Sequence, residues 1–132
     1  MIHLRSLLLV GLGGFLGSLL RFVVGLSAQR LVGTSSFPLG TLCVNLIGCL
    51  AIGLVSGLLE AREPVWLPLR LFVVVGVLGG FTTFSAFGYE TFALLKEGQA
   101  LRAAVSAALQ VGLGILLVWG GHALALAALG PR

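Results

Sequence analysis

The segment Gly79-Gly80-Phe81-Thr82-Thr83-Phe84-Ser85-Ala86-Phe87 sets helix-weakening glycines, hydroxyl side chains and aromatic rings inside an otherwise apolar stretch. Glycine lowers helix propensity, and hydroxyls can replace backbone hydrogen bonds that a helix would otherwise close. Unwound carbonyls at membrane depth suit a hard monovalent cation such as sodium, whereas hydroxyl and amide donors suit an anion. Phe84 and Phe87 stand three apart, so both rings lie on one face just beyond the break. A phenyl ring is positive at its edge, and two edges turned to a pathway would tolerate a small anion without trapping it. Lipid-facing or core packing is the other use of such rings.

A second polar set lies in GTLCVNLIG (residues 40–48), where Thr41, Asn45 and Gly48 share a helix face and Asn45 sits about midway along an uncharged run. A buried amide needs partners, and either interhelical hydrogen bonding or a ligand would supply them. Earlier still, Gly13, Gly17 and Arg21 follow one another at four-residue spacing and form a smooth stripe ending in a cation. Two uses fit Arg21: drawing an anion into a vestibule, or a structural role at the headgroups or paired with Glu90.

These residues must be held by membrane helices. The chain is 58% apolar and 9% charged with a mean hydropathy of +1.15, against roughly 25% charged residues in a soluble domain. No Asp, Glu, Lys or Arg occurs between Arg30 and Glu60, between Arg70 and Glu90, or between Arg102 and Arg132. Each stretch approaches or exceeds the roughly 20 residues a spanning helix requires. With the first apolar run, this predicts an all-α membrane protein of four transmembrane helices at about 5–28, 39–60, 67–95 and 101–127, the third broken near the midplane. A cleaved signal peptide is the competing reading of the first run, and the cation Arg21 inside it argues against that. The connections Gly33 to Pro38, Glu60 to Pro64 and Lys96 to Gln99 carry turn and breaker residues. Residues 1–132 thus form a single four-span membrane domain with no room for a soluble catalytic one, so function resides in the lipid bilayer.

The net charge of +4 comes from scattered cations rather than a basic patch, which excludes a nucleic-acid partner. Arg5, Arg62, Arg70 and Arg132 fall on one side of the membrane, and Arg21, Arg30, Lys96 and Arg102 on the other. That balance gives no orientation bias, so insertion both ways and an antiparallel dimer follow. Cys43 and Cys49 are six apart and point to different faces, so neither a disulfide nor a metal pair is expected. Glycine pairs at 13 and 17, 53 and 57, and 76 and 80 carry the small-xxx-small spacing of tight helix packing.

Three segments, GGFLGSLLRF (13–22), GTLCVNLIG (40–48) and GVLGGFTTFSAFGYET (76–91), resemble the signature segments of the Fluc family of fluoride channels, also called CrcB. Together with the four-span plan the resemblance covers most of the chain. It implies a dual-topology antiparallel homodimer in the bacterial inner membrane, with two fluoride pathways and a sodium ion on the central two-fold axis. By position in the motifs, Asn45 would be the pore amide and Phe84 and Phe87 the aromatic pair, with Thr41, Thr83 and Ser85 as polar neighbours. Gly79 and Thr82 would give backbone carbonyls to sodium, Arg21 would match the first-span arginine, and Glu90 the acid closing the third segment. Similar proteins place a tyrosine and a serine along the fourth span. The register used here puts Ala104 and Ala108 at those positions, with Ser106 and Gln110 nearby, so a polar track is expected to be missing. His122 is expected at the membrane interface rather than as a ligand.

The expected function is passive export of fluoride, not enzymatic catalysis. No nucleophile and base pair, metal-ligand spacing or phosphate-binding loop is present. The alternatives are a small dual-topology multidrug exporter, which would need a membrane-embedded glutamate that the first span lacks, and a non-transporting assembly subunit, which would leave the broken helix unexplained.

Overall fold

The computed structural model describes residues 3–31, 33, 37–61 and 67–129. Four helical spans, Leu4–Leu31, Leu39–Glu60, Leu67–Lys96 and Ala100–Leu129, are long and apolar enough to cross a bilayer. Their ends agree with the sequence expectation to within three residues. Thr34 to Ser36, Arg62, Glu63, Pro64 and Arg132 lie outside the described residues.

The third span is interrupted, but not at its glycines. Gly79–Phe81 is still helical, Thr82 (φ −79°, ψ 159°) and Thr83 (φ −152°, ψ 112°) are extended, and helix resumes at Phe84. The threonines make the break because their hydroxyls take over at both of its edges. Thr82 gives its amide and its Oγ1 hydrogen to the Leu78 carbonyl, each at 3.0 Å. Thr83 Oγ1 accepts the Ala86 amide at 3.2 Å and so caps the second half.

Gly80 serves packing instead of unwinding. A Cβ there would lie 2.5 Å from the Gly14 carbonyl oxygen and 2.9 Å from Gly14 Cα. Gly13 meets Gly76 in the same way, its added Cβ falling 2.9 Å from Gly76 Cα. The first helix and the first half of the third are thus joined backbone to backbone, which only residues without side chains permit. Glycines also join the second and fourth helices: a Cβ on Gly57 would stand 2.7 Å from the His122 carbonyl oxygen, and one on Gly121 2.6 Å from that of Leu50. Each expected glycine pair is therefore used, and each selects a partner helix.

Two stretches are wound as π-helix, Leu71–Leu78 just before the break and Leu109–Leu113 in the fourth span. In the first, the Gly79 amide reaches back five residues to the Val74 carbonyl. Such wide turns are rare, shift side-chain register, and concentrate at functional sites. Large apolar side chains point outward, Leu12, Phe15, Ile115 and Trp119 among them, as lipid-facing residues do. The interior combines apolar side chains such as Leu42, Phe81 and Leu94 with small or polar ones, Val44 being 1% and Ser106 0% exposed.

Candidate functional site

Breaking a helix at membrane depth frees backbone groups that water cannot reach, and each must find a partner. Asn45, on the second helix, satisfies Thr83 on both sides. Its Oδ1 accepts the Thr83 amide hydrogen at 2.8 Å, and its Nδ2 donates to the Thr83 carbonyl at 3.0 Å. The other Nδ2 hydrogen goes to Gln110 Oε1 on the fourth helix at 2.6 Å. In this conformation Asn45 therefore joins the second, third and fourth helices, and both its donors are engaged.

The same diversion exposes two carbonyls. In a continuous helix the Thr83 amide would bond to the Gly79 carbonyl, and the Ala86 amide to that of Thr82. Those amides are given instead to Asn45 Oδ1 and Thr83 Oγ1. Gly79 and Thr82 are thus two of the four carbonyls, from Gly79 to Thr82, whose helical donors the break takes away. Hard oxygen donors of this kind fit a sodium ion.

Three cavities adjoin along the protein. The first, about 590 Å³, is lined by Arg21, Thr41, Glu90 and Thr83 among others. The second, about 370 Å³, also includes Thr83 and adds Asn45, Phe84, Phe87 and Gln110. The third, about 520 Å³, begins at Cys49, Gln110 and Val111, which it shares with the second, and extends to Ser56 and His122. Thr83 and Gln110 stand at the two junctions. The series leads from the Arg21 and Glu97 end of the bundle to the His122 end.

Within this series, the Phe84 and Phe87 rings meet edge to face, their centroids 5.5 Å apart at 64°. Phe84 is 82% exposed on the single chain, a large hydrophobic ring with no cover of its own. Ser85 lies beside them, its Oγ 3.3 Å from Thr83 Oγ1. Thr41 Oγ1 donates to Glu90 Oε1 at 2.6 Å. Arg21 lines the same cavity without an ion pair to Glu90, so the structural pairing considered from sequence does not form.

The fourth span corrects the register assumed from sequence. Ala104 and Ala108 are exposed, whereas Ser106 is buried and Gln110 bonds to Asn45. Ser106 and Gln110 thus turn toward the bundle interior, and Gln110 lines the second and third cavities. Their four-residue spacing in an apolar span was the signal available for this. Among the described residues, Ser106 Oγ, Gln110 Nε2, Thr91 Oγ1 and Glu90 Oε2 are buried polar atoms without a protein partner. Of these, Gln110 and Glu90 line the cavities, and Gln110 Nε2 is a donor there.

Comparison with known proteins agrees with the resemblance in the three signature segments. The family model described as CrcB-like protein, Camphor Resistance (CrcB), matches residues 8–122. A Rhizobium etli protein named fluoride-specific ion channel FluC is 45% identical over 115 residues, covering 87% of this chain and 91% of that protein. A protein of the same name from Chloroflexus aurantiacus is 47% identical over 100 residues, covering 76% and 79%. Another from Rhizobium meliloti is 42% identical over 121 residues, covering 92% and 96%. With a family match across nearly all of the four-span bundle, the chain belongs to the CrcB-like family.

Proposed function

We propose that this multi-pass protein of the bacterial inner membrane is a passive, fluoride-selective channel. The observation that carries the reading is the series of cavities joined at Thr83 and Gln110, lined by amide and hydroxyl groups in a chain similar to proteins named fluoride channels. A small anion leaving water needs replacement donors at each step, but no step may hold it tightly. In this reading the hydroxyls of Thr41, Thr83, Ser85 and Ser106 and the unpartnered Gln110 amide are such donors, and Asn45 serves as one by exchanging a hydrogen from Gln110 or Thr83 to the ion. The positive ring edges of Phe84 and Phe87 offer a weaker attraction between them. Arg21 raises the local anion concentration at one mouth.

The working unit in this reading is an antiparallel homodimer with two pathways. The exposed Phe84 ring would be covered by the second copy, and the balanced arginines and lysines would let each copy insert in either orientation. Gly79 and Thr82 carbonyls from both copies would hold a sodium ion on the shared axis, where it would neutralise oxygen dipoles and fix the crossing of the broken helices. Sodium is structural in this account, and no step of permeation runs through it.

A passive channel fits better than a proton-coupled exchanger or a drug exporter. Coupling commonly uses an intramembrane carboxylate, and the first, second and fourth spans carry none before their last residues. Expression in a fluoride-sensitive bacterium distinguishes these readings. Resistance to fluoride without resistance to cationic drugs is expected, and the reverse pattern would assign the chain to drug export.

A further inference from the structure

Besides Arg21, the cavity series has a second charged end. Ser56 and His122 line the third cavity, and Glu60 stands beside His122 at the end of the second helix. Counting protons fixes how these groups are joined. Ser56 Oγ lies 2.8 Å from the Gly53 carbonyl and gives its single hydrogen there. While the hydroxyl hydrogen is on Gly53, His122 Nδ1, 3.1 Å from the same Oγ, is the donor of that contact. His122 Nε2 is 3.3 Å from Glu60 Oε2, and a carboxylate accepts only, so Nε2 is a donor as well. Both contacts and the Ser56 to Gly53 bond are complete together only when the ring is an imidazolium. A neutral ring must give up one of them or draw the Ser56 hydroxyl from Gly53.

We propose that the His122–Glu60 pair sets the charge at this mouth of the anion pathway, so that protonation of His122 speeds anion entry. The inference rests on the channel reading above. With His122 neutral the mouth carries the Glu60 carboxylate, which repels an anion; with His122 protonated the pair is neutral and the repulsion is gone. Imidazole is the side chain whose charge changes between about pH 5 and pH 8. On the same side of the membrane the other described ionisable groups are His3 and Arg5 at the start of the first helix and Arg70 at the start of the third, all exposed. The second half of the fourth helix packs on the second, whose titratable groups among the described residues are Cys43, Cys49 and Glu60. The cation Arg102 on the fourth helix is about 30 Å away along its axis. Arg62 and Glu63 lie outside the described residues. Fluoride enters cells as its neutral acid, which forms in acidic surroundings, and is trapped inside as the anion, so a mouth that opens electrostatically in acid would act when export is needed.

Fluoride efflux from liposomes, measured at symmetric pH of about 6 and about 8 and corrected for protein-free vesicles, tests this. The wild-type protein should be about threefold faster at the lower pH at low salt. His122→Gln should be slow at both, and the double variant His122→Gln with Glu60→Gln should be fast at both. That pattern separates charge from damage to the fold. A pH response retained in His122→Gln, a slow double variant, or equal wild-type rates would overturn the inference and leave the channel reading standing. No fluoride efflux from folded wild-type protein at either pH would overturn both.

Discussion

Asn45 and Thr83 are bound to each other twice, amide to carboxamide oxygen at 2.8 Å and carboxamide nitrogen to carbonyl at 3.0 Å. This exchange mimics a backbone pairing and lets a transmembrane helix stay open at its middle. It also makes the residue expected to meet the ion the residue that holds the break.

Asn45→Ala leaves both Thr83 groups without partners, and each unsatisfied buried group costs about 1–3 kcal/mol. Thermal melting in detergent should show a loss of about 2–4 kcal/mol, accompanied by lost efflux. Asn45→Asp keeps the acceptor but removes both donors, and should fall between the two in stability.

Ser106→Ala separates pathway from packing. Ser106 Oγ is buried without a protein partner, so its removal should leave stability unchanged or raised by up to about 1 kcal/mol. Fluoride efflux should nevertheless fall several-fold, because a donor proposed for the pathway is lost. Unchanged efflux would remove Ser106 from the pathway.

Gly53→Ala places a methyl 2.9 Å from Val118 Cα, where a backbone cannot yield. A destabilisation of about 1–3 kcal/mol is expected from overpacking. Gly11→Ala meets nothing within 4 Å and should stabilise by up to about 1 kcal/mol through helix propensity. Melting curves of the two variants side by side check the assignment of helix partners.

In the proposed dimer, replacing sodium by a large organic cation should lower the melting temperature of the purified protein, because the ion proposed at the Gly79 and Thr82 carbonyls would be lost. An unchanged melting temperature would remove sodium from the account.

The four spans were legible because each is a long run with little charge, and tight packing because glycines recur at four-residue spacing, whereas which helices the glycines join is seen only in the structure. The place of the break was less so. Gly79 and Gly80 suggested unwinding by propensity, but Gly80 packs against Gly14 and stays helical, while Thr82 and Thr83 open because their hydroxyls can end one helix and cap the next. In the fourth span Ala104 and Ala108 face outward while Ser106 is buried within the regular helix Ala100–Ala108, a choice of face set by packing against the other helices. The contact between Asn45 and Gln110 joins residues 65 apart in sequence and belongs to tertiary structure.

The central claim is that an anion passes along the Thr83 and Gln110 junctions beside the Phe84 ring. Electrode-recorded fluoride efflux from liposomes holding wild-type or Phe84→Ile protein, with chloride-loaded vesicles as control, tests it most directly. Rapid fluoride-selective efflux that the substitution abolishes is the predicted result. Equal efflux from the two proteins, or equal passage of chloride, would contradict the account.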